Sequence, residues 1–141
     1  MLAITGFLPG DDRRMKATID ATAERLSDER GLVYRYRSAD GLEGEEGTFL
    51  LCTFWLAQAQ ALAGEIKQAR ATFERAIAYA NDVGLLAEEV NVGGELIGNF
   101  PQAFSHIGLV NAAWTIAEAE RYGRQVEAVQ RRNPGSDDAA G

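Results

Sequence analysis

The sequence predicts an all-α domain built from helical hairpins. Three observations carry that expectation. Apolar residues recur at helical spacing in four stretches, those stretches alternate between half-apolar and apolar on most sides, and strand signals are weak throughout.

The first helix is expected over 13–27. Asp11 and Asp12 follow Pro9 and Gly10, where a side-chain oxygen can cap the first free N–H groups, and Met15, Ile19, Thr22 and Leu26 follow at helical spacing. Residues 28–47 hold four glycines and six carboxylates and read as a loop, with room for a short extended stretch at 32–37. The segment 48–63, TFLLCTFWLAQAQALA, is the most apolar of the chain and reads as a helix buried on most sides. Gly64 breaks it. Ile66, Ala69, Phe73, Ile77 and Ala80 then trace one face of a helix over 65–81, opposite Lys67, Arg70, Glu74 and Arg75, with Asn81 or Gly84 as its stop. Residues 82–101 form a second long connection, too apolar for simple disorder. The last helix is expected over 102–120, buried on most faces, with Pro101 in its first turn and Asn99 as its cap. From Arg124 the chain turns polar, and 124–141 reads as a disordered tail behind a domain of 1–123. The two long loops each lead into an apolar helix, which places both at one end of the domain. A site is expected there.

Composition narrows the chemistry. The chain has 141 residues, a formal charge of −7, one Cys and one His. No basic patch stands out for nucleic acid or an anionic membrane, and no stretch has the apolar length of a membrane span. One Cys excludes a disulfide framework or multi-cysteine metal site, and one His excludes a two-histidine metal motif. No basic segment precedes the short N-terminal apolar stretch, so a cytoplasmic location is expected.

What remains is carboxylates, guanidinium groups and aromatics. Glu88 and Glu89 lie in LLAEEV, among Leu85, Leu86 and Val90. A carboxylate held among apolar residues can serve as an acid or base, whereas a pair of solvated loop acids would look the same in sequence. Glu43, Glu45 and Glu46 could collect a hard cation, but they lack EF-hand spacing and equally describe a solvated acidic loop. Tyr34, Arg35, Tyr36 and Arg37 alternate aromatic and cation, as sugar-binding surfaces often do, although packing and surface charge explain them too. His106 has no Ser or Cys partner for a triad and reads as a hydrogen-bonded structural residue. Cys52, Trp55 and Trp114 read as packing, and the glycines of VGGELIG lack the GxGxxG spacing of a nucleotide loop.

Three strings carry a resemblance. GFLPGDDRRMKATIDA, GLVYRYRSADGLEGEEGTFLLCTFWLAQAQALAG and GLLAEEVNVGGELIGNFPQAFSHIGLVNAA resemble glycoside hydrolase family 15, which contains glucoamylases, glucodextranase-type enzymes and some trehalases. The likeness covers residues 4–120 and is most specific in LLAEEV and ELIGNFPQAFSHIGL. It implies that the chain is the C-terminal portion of an α/α toroid of six helical hairpins. It also implies an inverting mechanism with two glutamates, acting on an α-glucan or trehalose-type sugar without a cofactor or metal. By that likeness Glu88 is the general base, and Arg35, Phe104, Glu46 and Glu89 contact or frame the sugar. The W-E-E-type motif that carries the family's acid is absent, and Asn91 stands where the family usually has an aspartate. A lone base implies an inactive chain by itself, and an incomplete ring implies self-association or an N-terminal partner segment. Two rivals remain: a relative that only binds sugar, and a protein-binding module, since WLAQAQALAGEIKQARATFERAIAYA resembles one tetratricopeptide hairpin.

Overall fold

The computed structural model describes residues 1–37 and 47–132. Four helices and one small sheet follow in the order α1 (Arg13–Leu26), β1 (Thr48–Phe49), α2 (Leu50–Leu62), α3 (Ile66–Ile77), β2 (Glu89–Val90), β3 (Leu96–Ile97) and α4 (Ala103–Arg132). The chain is mostly helical, as expected, but the expectation of an all-α chain is corrected by the three-stranded antiparallel sheet.

Central α2 organises the rest. Its apolar surround lets α1 pack on one side through Met15, Ile19, Leu56 and Ala59, while α3 and α4 pack on the other. Phe54 is fully buried there, its ring tilted against Phe73 of α3 at 5.7 Å between centroids. The core of this side comprises Leu32, Leu50, Phe54, Ala57, Ala76, Leu86, Val90 and Ala112, so the sheet and the 86–90 segment stand directly on it. Gly108 lets α4 approach closely: a Cβ there would lie 2.9 Å from Cδ1 of Leu51 and 3.2 Å from Cβ of Phe54.

Local rules explain the boundaries. Asp12 caps α1 by accepting the amide of Arg14. Gly64, at φ +81°, turns the chain from α2 into α3, and the amide of Glu65 donates back to the carbonyl of Gln60. Helix α3 ends at Ile77, before both expected stops, and Asn81 instead folds the following loop by accepting the amides of Val83 and Leu85.

Several expectations are corrected. Residues 48 and 49 belong to β1, so the central helix begins two residues later than 48. The 82–101 connection contains β2 and β3, paired Glu89 to Ile97 and Val90 to Leu96. Pro101 precedes α4 behind a cis Phe100–Pro101 peptide, and Gln102, not Asn99, receives the first-turn amides: its side chain accepts from Phe104 and its carbonyl from His106. Helix α4 continues past 123 to Arg132, so the expected tail boundary falls inside a helix; 133–141 lie outside the described residues. The helix is also less buried than expected. Trp114 is 70% exposed, with Phe104, Ile107 and Val110 also more than half exposed, because no described residue covers that face. No described helix is long and apolar enough to cross a membrane.

Candidate functional site

The two long connections meet where β1 pairs with β2, matching Thr48 with Val90 and Phe49 with Glu89. Glycine is required at the approach to this pairing, since a Cβ on Gly47 would lie 2.7 Å from the carbonyl oxygen of Val90. The two loops therefore share one end of the molecule, and Glu88 stands at their junction.

Glu88 is held at every backbone group. Its N–H donates to the carbonyl of Asn99 at 3.0 Å, and its own carbonyl accepts the amide of Leu50, the first residue of α2, at 3.1 Å. That second bond satisfies a helix N-terminal donor which otherwise lacks an intrahelical partner. The side chain is fixed as well. Oε2 accepts the amide of Asn99 at 3.1 Å, while Oε1 takes no hydrogen bond from any described residue. Gly98, at φ +75°, lies against this carboxylate, and a Cβ there would come within 3.0 Å of both Cβ and Oε2 of Glu88.

The N-terminal turn of α4 holds the two residues before Glu88. The amide of Gln102 donates to the carbonyl of Leu86 at 2.9 Å, and the buried Ser105 hydroxyl donates to the carbonyl of Ala87 at 2.8 Å. Nε2 of His106 accepts the amide of Leu86 at 3.3 Å, and its Nδ1 lies 2.7 Å from the carbonyl of Gln102. His106 is thus the hydrogen-bonded structural residue that its sequence context suggested.

The other expected site residues fall around this core unequally. Arg35 is exposed, with its guanidinium 4.8 Å from the ring centre of Phe49 and 4.9 Å from that of Tyr36, and Nη2 donates to the Tyr36 hydroxyl at 3.3 Å. Because Phe49 adjoins Leu50, whose amide meets Glu88, Arg35 and Glu88 converge on the start of α2. Arg35 also lines a groove of about 380 Å³ with Trp55, Leu56, Met15 and Ile19, between α1 and α2, and Glu88 is not part of that groove's lining. Phe104 is 64% exposed on the first turn of α4, next to Ser105. Glu89 is part-buried, and its Oε2 accepts the amide of Gly47 at 2.9 Å, tying β1 to β2. Glu46, and Glu43 and Glu45 with it, lie outside the described residues. Among the described residues no cluster of His, Cys, Asp or Glu is placed to hold a metal ion.

A profile of glycosyl hydrolases family 15 matches residues 1–114, which takes in α1, the sheet, Glu88 and the clamp from α4. The chain belongs to family 15. It is 46% identical over 124 residues to a trehalase of Mycolicibacterium smegmatis, 44% identical over 124 residues to a trehalase of Mycobacterium tuberculosis, and 42% identical over 119 residues to a trehalase of Thermoplasma acidophilum. These alignments cover 84–85% of this chain but only 18–20% of the relatives, so the chain spans about a fifth of their length. No solved structure matches it. The family 15 match also covers the α2–α3 hairpin that resembles a tetratricopeptide unit.

Within this family 15 chain, sequence reasoning misses the residues that hold Glu88. Gly98 and Asn99 lie beyond a turn and leave no spacing signal. Arg30 gives no signal either. Its side chain bonds Asp28 at 2.7 Å, reaches the carbonyl of Asn91 at 2.7 Å and lies over the ring of Tyr79, fastening the first loop to the β2–β3 hairpin. Asn91 builds that hairpin's turn, since its Oδ1 accepts the amide of Glu95 and its Nδ2 donates to the Glu95 carboxylate.

Proposed function

We propose that this chain is a segment of a trehalase-like, inverting glycoside hydrolase, forming part of a six-hairpin α/α toroid and supplying the general base, Glu88. The observation that carries this reading is the division of labour in the Glu88 carboxylate. One oxygen is anchored by the amide of Asn99 and the other takes no hydrogen bond from a described residue. A base that activates water needs that asymmetry: a fixed orientation and one lone pair open to a water proton. In inverting glycosidases the acid and base carboxyls stand roughly 6.5–9.5 Å apart, leaving room for that water. The acid comes from outside this segment, because the sequence lacks the family's acid motif.

Arg35, Phe104, Glu46 and Glu89 are the proposed sugar contacts. An arginine fork can donate to vicinal hydroxyls, and an exposed aromatic ring can face the apolar side of a pyranose. The relatives named as trehalases favour a trehalose-type α-glucoside as substrate. The exposed apolar face of α4 supports coverage by a second copy or by a preceding partner segment.

The test is complementation. The chain is combined with a mycobacterial trehalase lacking the matching segment, and trehalose hydrolysis is followed as glucose release. Hydrolysis in the mixture and in neither part alone is expected. Failure of a physically associated mixture to hydrolyse any α-glucoside would refute the reading.

A further inference from the structure

The clamp on the 86–88 segment contains a group whose chemistry is fixed by its neighbours. The amide of Leu86 can only donate and the carbonyl of Gln102 can only accept. His106 lies between them, with Nε2 at 3.3 Å from the former and Nδ1 at 2.7 Å from the latter. The imidazole must therefore be neutral, with its proton on Nδ1. We infer that His106, as this single tautomer, is a positioning residue for Glu88, setting the direction in which the carboxylate leaves the core.

Leu86 is fully buried, so its amide has no water to fall back on. The carbonyl of Leu86 is taken by Gln102 and that of Ala87 by Ser105, which leaves the His106 bond as the fixing contact for the remaining donor at Leu86. Both sides of the imidazole are needed. The Gln102 carbonyl fixes the ring from its own helix, and Nε2 then reads the position of a strand-side residue two places before Glu88. Loss of the acceptor would free the amide of Leu86, and the segment would relax about the bonds from Asn99 and Leu50. The inference rests on the proposed role of Glu88 as base.

The test uses the full chain and two substitutions. His106→Gln keeps an acceptor at the Nε2 position, whereas His106→Leu removes it. The ¹⁵N spectrum of the unaltered chain should show a protonated Nδ1 and a bare Nε2. Amide exchange at Leu86 should quicken about tenfold in His106→Leu and stay near the unaltered rate in His106→Gln. In the complemented enzyme, kcat should fall about tenfold in His106→Leu with KM for trehalose unchanged, and recover in His106→Gln. A proton on Nε2, or unchanged Leu86 exchange in a folded His106→Leu chain, would overturn the inference. Hydrolysis retained in Glu88→Gln would overturn the reading of Glu88 itself, and positioning with it. Hydrolysis lost in Glu88→Gln but undiminished in His106→Leu would overturn the positioning role alone.

Discussion

Glu88 and Asn99 hold each other twice. The amide of Glu88 donates to the carbonyl of Asn99, and the amide of Asn99 donates back to Oε2 of Glu88. One residue is thus both a backbone partner and a side-chain partner of the proposed base. This reciprocal pair makes the carboxylate's direction a property of the β2–β3 hairpin rather than of its own rotamer alone.

Gly98 is the weak point of that arrangement. It combines a φ of +75° with a would-be Cβ contact of 3.0 Å to the Glu88 side chain. Gly98→Ala should cost about 1–3 kcal/mol in stability, through left-handed backbone strain. It should also displace the carboxylate. Chemical denaturation measures the first effect, and amide shifts at Glu88 and Asn99 report the second. Unchanged shifts at both would argue against close packing of Gly98 on Glu88.

The helices are legible in the sequence because each repeats its pattern over several turns, as Met15, Ile19 and Leu26 do in α1. The sheet is not. Its strands are two residues long, too short to show a period, and the β1–β2 pairing joins residues 42 apart. Glu88 is visible as a carboxylate among apolar residues, and the resemblance gives it a role. Its anchors are invisible, because Asn99 reaches it only after the 91–95 turn brings the chain back. Helix α4 shows the converse error. Phe104, Ile107 and Trp114 are apolar at helical spacing, which reports a face suited to burial without saying whether a neighbour is present.

That exposed face carries its own prediction. Ile107→Ser with Trp114→Ser should reduce self-association while leaving the fold intact, because neither residue is buried in the core. Sedimentation velocity of the unaltered chain should show species larger than a monomer, shifting toward monomer in the double variant. A monodisperse monomer before substitution would contradict self-association through α4.

The cap of α1 sets a pH dependence. The carboxylate of Asp12 is met by the guanidinium of Arg14 and by its amide, each at 2.9 Å. The side-chain hydrogen bond, followed by the backbone one, lowers its pKa from the ordinary 3.8 to about 2. The folded value lies below the unfolded one, so the cap's contribution is full above about pH 3.8 and is lost as the pH falls through about 2. Carboxyl ¹³C titration should place the Asp12 midpoint near 2, and Arg14→Gln should raise it. A midpoint near 3.8 in the unaltered chain would mean that the cap does not form in solution.

Activation of water by Glu88 is tested most directly by kcat for trehalose in the complemented enzyme. The comparison is between the unaltered chain and Glu88→Gln, which preserves shape and removes the base. A fall of about 10²–10⁴-fold, with the substituted chain still folded and associated, is the predicted result. Hydrolysis at the unaltered rate in Glu88→Gln would contradict the account.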